Sequence, residues 1–593
     1  MEKKKQNLSA VKAIKRIIPL VIKTVPFHAF VTLILSTAHG VSWGLVAPFN
    51  QRLYDALADL AIANGVMRYV IIGAVMVTGL MLIQQVIMSF DSFFSYNVLS
   101  EVADGRLCLV INEKMKKLPA ALFEDKDKLD DLEKAWQGMN GSIWFYLMFG
   151  SGLPFYFAYL IVMGSFLWSL TPLLLISIML IFVPVLASQI VQAKIHAKLE
   201  EQIAPVRRKN SHYTDCIINK DFLRETRLFG AYKFFIKLYM DSMRLIIKHQ
   251  WDTGKKIAFI DLGLNFLKAI GWFSVLGLLF YSLVQGTITI GAFAAVFSAI
   301  GMLFGMIEQL VSRINYSLTQ NLGQIHNFIN VLDFPEVKGE NMSPDMKKGV
   351  IAKDVVFSYP KADKPAVNGV SIHIKYGETL ALVGENGSGK TTLVKLLCGL
   401  YHPEEGNVFV GGRDTKTTSE EAIFSQTSGV FQNHASYIFS LGENVKISEV
   451  EAENDLITPL KNADVDFDDT KTFPQGVETI LSRDFDGVEL SGGQWQRVAT
   501  ARGLYRSHEF IVLDEPTAAI DPLEETRVYK KFAELTKDKI AILVTHRLGS
   551  ARIADKIAVM DDGKIVEIGT HDDLIKNKGK YAEMWTSQAD SYK

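Results

Sequence analysis

The sequence predicts a protein of two parts: an all-α membrane domain with six spans and long helical extensions into the cytoplasm, followed by a soluble α/β domain. Three observations predict this. Hydrophobic residues make up 49% of the 593 residues, and charged residues only 21%. The long uncharged stretches all lie in the first half of the chain. The second half instead alternates short Val/Ile/Leu segments with charged helical segments, a pattern typical of an α/β domain.

Six segments are long and apolar enough to cross about 30 Å of hydrocarbon, which takes about 20 helical residues. The predicted spans are residues 24–51, 69–90, 143–168, 172–193, 257–283 and 290–311. The third and fourth spans come from one uncharged run, residues 135–193, which Thr171-Pro172 divides.

The distribution of basic residues predicts the orientation. The first 23 residues hold seven Lys or Arg and one acid, and residues 194–256 hold fourteen basic and seven acidic residues. Both segments are expected in the cytoplasm, together with the second domain. We expect no cleavable signal peptide, because residues 8–23 mix bases with apolar residues; an amphipathic helix on the inner leaflet fits better.

Two cytoplasmic connections, residues 91–134 and 194–256, are far longer than loops require. Both have a helical pattern, so the membrane helices are predicted to continue into the cytoplasm and turn back there. Short helices at the turning points are predicted at residues 123–132 and 220–229, and solvated hairpins without a partner are the alternative. Residues 331–348, with Pro and Gly among charges, are predicted to be a linker.

Overall charge and cysteine content exclude other classes. Lys plus Arg number 63 against 64 Asp plus Glu, so the net charge of -1 gives no reason to expect a nucleic-acid partner. The three cysteines, Cys108, Cys216 and Cys398, are too few and too scattered for a disulfide framework or a four-ligand zinc site.

A strand, a glycine-rich loop and a helix follow one another from residue 379 to residue 400. The loop consists of Gly384, Glu385, Asn386, Gly387, Ser388, Gly389, Lys390, Thr391 and Thr392. Glycines let backbone N–H groups converge on phosphate oxygens at a helix N-terminus, Lys390 supplies positive charge, and the Thr391 hydroxyl can bind Mg²⁺. The order predicts a site for ATP and Mg²⁺, with a glycine-rich turn lacking a ligand as the alternative.

Residues 510–515 form an apolar strand that ends in two acids. Asp514 is placed to hold Mg²⁺ through water, and Glu515 to polarise the attacking water in phosphoryl transfer. A further strand at residues 540–544 leads to His546, whose imidazole either reaches the γ-phosphate or has a structural role.

Leu490-Ser491-Gly492-Gly493-Gln494 is the signature of ATP-binding cassette proteins, and it lies between the phosphate loop and the Asp514 strand as in that family. The whole chain resembles a bacterial half-transporter of the exporter type. The resemblance implies a transmembrane domain over residues 1–330 and an α/β P-loop ATP-binding cassette over residues 349–593. It also implies ATP hydrolysis coupled to transport across the plasma membrane.

The resemblance assigns further roles by position. Tyr359 is similar to the aromatic residue that stacks on adenine, and Gln432 to the glutamine that senses Mg²⁺ and touches the membrane domain. Asp521 matches the loop after the catalytic Glu. The catalytic residues implied are Lys390, Gln432, Glu515 and His546. Ser491, Gly492, Gly493 and Gln494 would close on the nucleotide of a second cassette, so two ATP molecules would lie between two chains.

Residues 482–489 depart from the common exporter sequence before the signature. With Trp495, this version is similar to exporters of ribosomally made antimicrobial peptides that lack an attached peptidase domain.

Charged residues near the spans are the candidates for a substrate cavity, because charge at membrane depth usually faces an interior or aqueous space. Asp91 and Glu308 are predicted to line such a cavity, with an interfacial position as the alternative. Asp261 and Lys268 lie seven residues apart and are predicted to pair on one helix face.

The sequence thus predicts an ATP-driven exporter of a peptide, lipid or amphipathic compound, working by alternating access. An importer on the same architecture, as in metal-chelate uptake, and an ATP-gated channel or sensor are the alternatives. The partner is a second half-transporter in the lipid bilayer. A homodimer is favoured because one chain carries every motif, and a heterodimer stays open.

Overall fold

The computed structural model describes residues 10–62, 65–317, 321–515 and 522–590, which form two compact units. The first unit contains residues up to 113 together with 131–333, and the second contains residues 114–130 and those from 334 onward. The second unit therefore includes a short piece of the first cytoplasmic connection.

The first unit is helical. Its helices, numbered with those that continue into the second unit, are α1 (Ala10–Thr24), α2 (Pro26–Gly44), α3 (Val46–Ala61), α4 (Met67–Phe93), α5 (Ser100–Lys116), α6 (Lys126–Tyr146), α7 (Leu153–Leu170), α8 (Pro172–Ile218), α9 (Lys220–Leu228), α10 (Tyr232–Val284), α11 (Ile290–Tyr316) and α12 (Leu322–Leu332). Two π-helical segments, Phe94–Leu99 and Leu147–Gly152, interrupt the helical path after α4 and after α6.

The second, fourth, fifth and sixth predicted spans each fall inside one helix, whereas the first includes the breaks at Val25 and Leu45 and the third includes the segment Leu147–Gly152. Among the residues that the structure describes, five helical stretches are long and apolar enough to cross a membrane: Pro26–Ala61, Met67–Lys116, Lys126–Leu170, Tyr232–Val284 and Ile290–Ile314. The fourth predicted span lies in α8, where several side chains are outside the described set. Thr171 is extended, with φ −156°, and Pro172 takes the first helical position, so α8 begins where the sequence places a break.

The long extension predicted at residues 194–256 is formed by α8 and α10, with α9 between them. Asn210 on α8 donates hydrogen bonds to the Tyr239 carbonyl at 3.2 Å and to Ser242 Oγ at 2.7 Å on α10. Asn219 caps α9 by accepting a hydrogen bond from the Asp221 N–H at 3.1 Å. The helix predicted at residues 220–229 is therefore present at Lys220–Leu228.

The other short helix, predicted at the turning point formed by residues 123–132, lies earlier in the chain. A 3₁₀ helix occupies Ala120–Glu124, and α6 already begins at Lys126. The physical reason is local. Pro119 at φ −58° precedes the 3₁₀ turn, and the extended Asp125 accepts a hydrogen bond from the Asp127 N–H at 3.0 Å, which starts α6.

The N-terminal helix α1 is amphipathic, as predicted. Ala13, Ile17 and Val21 are fully buried within the first unit. Arg16 forms an ion pair with Asp333, which directly follows α12. The apolar stripe of α1 therefore packs on protein, whereas the sequence had suggested a membrane leaflet.

The second unit is an α/β domain with two sheets. The antiparallel sheet has the order β2-β1-β4-β5 and the larger, mainly parallel sheet the order β10-β9-β3-β8-β7-β6. The strands are β1 (Val350–Phe357), β2 (Val367–Ile374), β3 (Thr379–Gly384), β4 (Glu405–Val410), β5 (Arg413–Asp414), β6 (Thr427–Val430), β7 (Phe510–Asp514), β8 (Ile540–Val544), β9 (Lys556–Asp561) and β10 (Lys564–Gly569). The helices are α13 (Lys390–Leu397), α14 (Glu420–Phe424), α15 (Leu441–Lys446), α16 (Ile457–Asn462), α17 (Gly492–Tyr505), α18 (Pro522–Leu535), α19 (Leu548–Ala551), α20 (His571–Lys576) and α21 (Lys580–Asp590).

The register of the parallel sheet brings three strand ends together. Leu382 on β3 and Asp514 on β7 are both paired with Val544 on β8. The segments that follow these three strands therefore start at the same edge of the sheet, which is where open α/β sheets bind ligands. Asp562 and Gly563, with φ 44° and 76°, form the hairpin turn between β9 and β10.

Candidate functional site

The phosphate loop (residues 384–392) connects β3 to α13, as the sequence predicts. Gly384 has φ 150° and Gly389 has φ 100°, and a Cβ at either position would lie 2.3 or 2.2 Å from a backbone carbonyl oxygen. Only glycine fits these two positions. Lys390 Nζ donates to the carbonyls of Gly384 at 3.0 Å and Glu385 at 2.9 Å, so the lysine is curled over its own loop.

Buried polar atoms of the loop face the ends of β3 and β7. Burial lowers the pKa of Lys390, and the nearby Glu515 and Asp514 carboxylates oppose that shift. The Ser388 hydroxyl is buried and has no hydrogen-bond partner within the described residues. The loop therefore holds a cation and an unsatisfied hydroxyl where a phosphate group would lie.

Asp514, the last residue of β7, is 1% exposed. Its Oδ1 accepts a hydrogen bond from Thr391 Oγ1 at 3.2 Å, and its Oδ2 has no partner among the residues described here. Burial raises the pKa of Asp514, because the hydrogen bond from Thr391 and the charge of Lys390 do not fully offset the loss of solvation. An orphaned carboxylate oxygen beside a hydroxyl is a donor set that fits Mg²⁺, which prefers hard oxygen ligands.

Two other predicted site residues, Gln432 and His546, lie beside the Glu515 carboxylate. Gln432 Nε2 donates to Glu515 Oε2 at 3.1 Å, and His546 Nδ1 lies 3.6 Å from Oε1. Gln496 Nε2 donates to the Glu515 backbone carbonyl at 3.3 Å. Glu515 itself has φ 48°, a left-handed conformation that is strained for a residue with a Cβ and that surrounding contacts must maintain.

Tyr359 lies at the other side of the loop. Its hydroxyl is 3.0 Å from Thr392 Oγ1, and its ring is half-buried and edge-on to Tyr401, with centroids 6.2 Å apart. The structure therefore brings Tyr359 next to the phosphate loop.

Tyr401 links this aromatic group to the first cytoplasmic connection, within the second unit. Its hydroxyl donates to Glu124, and Lys395 Nζ donates to the Tyr401 hydroxyl at 3.0 Å. The hydrogen bond from Tyr401 is the main reason why the pKa of Glu124 is lowered, with Lys395 adding to it. Sequence reasoning missed this network, because Tyr401 and Glu124 are 277 residues apart and neither belongs to a motif.

The signature residues form the N-terminus of α17. Ser491 Oγ accepts from the Gln494 N–H at 3.4 Å, and Gln494 Oε1 accepts from the Ser491 N–H at 2.8 Å, which is a complete capping box. Ser491 and Gly492 are exposed, so the helix N-terminus is open to an anion. Asp521, the other predicted residue of a composite site, lies outside the described residues.

The charged residues of the membrane spans have different partners from those predicted. Gln192 on α8 donates to Asp261, and Lys268 Nζ donates to Glu308 at 3.2 Å. The predicted Asp261–Lys268 pairing is therefore wrong, because each residue faces a neighbouring helix instead. Asp91 lines a cavity of the first unit, whereas Glu308 is 52% exposed and paired with Lys268.

Comparison with known proteins places this site in a family. Residues 367–518 match the family described as ABC transporter. The subtilin transport ATP-binding protein SpaT of Bacillus subtilis is 28% identical over 521 residues, which cover 84% of this chain and 83% of the relative. The nisin transport ATP-binding protein NisT of Lactococcus lactis subsp. lactis is 27% identical over 510 residues, covering 82% and 83%.

Two further proteins are similar to this chain, one in sequence over half of its length and one in fold. An ATP-dependent lipid A-core flippase of Photobacterium profundum is 32% identical over 312 residues, which are 51% of each chain. A solved bacterial Atm1-family ABC exporter with ATP bound has a TM-score of 0.79 at 21% identity, covering 95% of this chain and 99% of that chain. This chain therefore contains an ABC transporter ATPase domain at residues 367–518, preceded by a helical membrane domain, and its fold is that of an ABC exporter.

Proposed function

We propose that two copies of this chain form an ATP-driven exporter that moves an amphipathic peptide out of the cytoplasm through a bacterial plasma membrane. The observation that carries the ATP-driven step is the meeting of Gln432 and His546 at the Glu515 carboxylate, beside the phosphate loop. The peptide class is supported by the two relatives named for subtilin and nisin transport, whose alignments extend over more than four fifths of this chain.

Binding of ATP would replace contacts that the loop now makes with itself. Lys390 would exchange the Gly384 and Glu385 carbonyls for phosphate oxygens, and the Ser388 hydroxyl would gain a partner. Tyr359 would cover the adenine. Thr391, Asp514 and Gln432 are the residues that would hold Mg²⁺, which neutralises charge on the phosphates when bound.

Hydrolysis would depend on Glu515 acting as the general base for the attacking water. Gln432 fixes one oxygen of the carboxylate, which leaves the other for water, and His546 beside it is positioned for the γ-phosphate. The open N-terminus of α17 in the second copy would donate backbone hydrogen bonds to the same phosphate. Each ATP would therefore lie between the two chains.

The transport cycle follows from this shared site. ATP at both interfaces would draw the cassettes together, and the cytoplasmic helix extensions would carry the movement to the spans, opening the cavity outward. Repulsion between ADP and phosphate after hydrolysis would separate the cassettes again. The excess of basic residues at the N-terminus and in residues 194–256 supports a cytoplasmic position for the cassette.

The test is to purify the chain alone, reconstitute it and measure ATPase activity with peptides, lipids and cationic amphiphiles, using Glu515→Gln as the blank. We expect amphipathic peptides to stimulate ATPase and to accumulate in vesicles whose cassettes face outward. Peptide movement in the opposite direction would support the importer alternative, and flux without hydrolysis would support the channel. Stimulation by lipids alone would overturn the peptide assignment.

A further inference from the structure

The first unit contains a cavity of about 410 Å³ with walls from several parts of the bundle. These walls come from α2, from the end of α4 with the first π-helical segment, from the second π-helical segment with α7, and from α11. A volume of this size holds a large side chain or a small organic group.

The π-helical segments Phe94–Leu99 and Leu147–Gly152 border this cavity. The first contributes Ser95 and Tyr96, and the second contributes Ser151 and Gly152. A π-helical turn adds a residue to the helix and re-aims the side chains around it, and such turns occur frequently at functional sites. Two of them at one cavity, each presenting a serine, indicate that its wall is specialised rather than ordinary helix packing.

A hydrogen-bond network on this wall orients the side chain of Asp91. Trp43 Nε1 donates to His39 Nε2 at 3.0 Å, and His39 Nδ1 lies 3.0 Å from Asp91 Oδ2. Because an indole N–H can only donate, His39 Nε2 is the acceptor and the imidazole proton is on Nδ1, facing Asp91. His39 thus accepts from Trp43 and donates to Asp91, which fixes the orientation of the carboxyl group.

The remaining contacts of Asp91 leave room for another donor. Ser36 donates to Oδ1 at 2.8 Å, and Ser95 is 3.4 Å from the same oxygen. A carboxylate has about four acceptor positions, so one position is still available. Asp91 is only 15% exposed, and a carboxylate held in a membrane-spanning region without a cationic partner is costly.

Aromatic side chains line the same cavity as Asp91. The His39 ring packs 4.7 Å from the Phe155 ring, and Trp43, Tyr96 and Tyr156 also line the cavity. Such rings attract organic cations over their faces. A neighbouring cavity of about 520 Å³ shares Tyr96 and Arg313 with the first and continues to Trp144, which gives space for a longer ligand.

Arg313 is the one other fully charged side chain on the walls described for the first cavity. It lies on α11, whereas Asp91 lies on α4. No ion pair joins Arg313 to Asp91 among the described residues. Arg313 therefore adds a positive potential that opposes a cation at Asp91.

We propose that Asp91 binds a positively charged ammonium or guanidinium group of the exported peptide. His39 and Ser36 orient the carboxylate, the aromatic rings cover the cation, and Arg313 limits how strongly it is held. This assignment rests on the proposed export of a peptide. It deepens that function, since it states which chemical feature of the cargo is recognised and by which residue.

The experiment compares two forms of one amphipathic peptide, with lysines free or acetylated, because acetylation removes the charge and keeps the length. Half-saturation of peptide-stimulated ATPase is measured in lipid nanodiscs. We expect the free-lysine form to half-saturate the wild-type chain at about a tenfold lower concentration, a difference of about 1.4 kcal/mol. Asp91→Asn should remove this preference, Asp91→Glu should keep it, and Arg313→Gln should widen it.

The controls distinguish a failure of the Asp91 assignment from a failure of the proposed peptide export. Asp59→Asn, the same chemical change at an exposed acid of α3, should leave the preference as in the wild type. Equal stimulation by both peptide forms, or a preference retained in Asp91→Asn, would overturn the role of Asp91 while leaving peptide export intact. Stimulation by neither form would overturn the peptide cargo and the assignment together. If Asp91→Asn fails to fold, Arg313→Gln decides the question: a widened preference for the free-lysine form supports the role of Asp91, and an unchanged preference overturns it.

Discussion

Glu515 shows how one residue's neighbours determine the outcome of its replacement. Gln432 holds one carboxylate oxygen and His546 lies near the other, while Gln496 holds the backbone in its strained conformation. These contacts position the side chain, and an amide of the same shape can retain them in part. The amide of Gln, however, cannot accept a proton from water as the Glu515 carboxylate can.

Glu515→Gln should therefore bind ATP and abolish nearly all turnover, with a loss of about 10²- to 10⁴-fold typical for a general base. The measurement is ATPase rate together with nucleotide binding. Glu478→Gln, at an exposed acid of the same domain, is the matched control. Hydrolysis near the wild-type rate would contradict the base assignment.

Tyr359 is expected to act on nucleotide affinity. Stacking of a base on an aromatic side chain contributes about 1–3 kcal/mol, so Tyr359→Ala should raise the KM for ATP about tenfold and change kcat little. Tyr359→Phe keeps the ring and loses only the hydroxyl contact with Thr392, so its KM should stay near that of the wild type. An effect of Tyr359→Ala confined to kcat would argue against stacking.

At the scale of elements, the 3₁₀ helix Ala120–Glu124 joins the cytoplasmic connection to the cassette. Ala120 and Ala121 pack against the core of the second unit, and Glu124 bonds to Tyr401, whose ring stacks on Phe357 at 5.2 Å. This segment lies between α5 and α6 in the chain, so in the proposed transport cycle it would transmit movement.

Glu124→Gln should therefore reduce peptide stimulation of ATPase by several-fold while basal ATPase persists, because the Tyr401 and Lys395 bonds to the carboxylate weaken. Asp127→Asn is the comparison. It breaks an ion pair with Lys361 in which both side chains are more than half exposed, and such pairs contribute about 0–1 kcal/mol. Equal losses in the two variants would argue against a specific role for Glu124.

At the scale of the whole molecule, the proposal requires two chains. The phosphate loop, the acids of β7 and the N-terminus of α17 all belong to one cassette, and the composite arrangement pairs the first two with the α17 of a second copy. One chain carries every motif that both sides need, so a homodimer is self-sufficient.

Mixing experiments test the homodimer. Wild-type chain and Glu515→Gln are combined in equal amounts before reconstitution, which leaves about a quarter of the dimers fully wild-type if assembly is random. If both sites must work in one dimer, activity should fall toward that quarter. A fall to one half would indicate independent sites, and an inactive wild-type chain would indicate a missing partner of different sequence.

Local sequence was sufficient for the ATP site because its groups follow strands whose ends meet at one sheet edge. The phosphate loop, Asp514, Glu515 and His546 lie at or just beyond the ends of buried apolar strands, and parallel pairing brings these strand ends together. The order of uncharged segments likewise predicts helices at all six spans, and the basic connections predict a cytoplasmic side. These features depend on chain-local patterns of hydrophobicity, glycine and charge.

Contacts between distant segments were decided only by packing. Asp261 and Lys268 share a helix face, yet each bonds to a different neighbouring helix, and Asp91 joins a network with His39 and Trp43 that no spacing reveals. Glu124 and Tyr401 meet across 277 residues in the same way. A periodic sequence pattern indicates which side of a helix is apolar. The partner of a polar side chain depends on which helices lie next to it, and only the tertiary structure determines those neighbours.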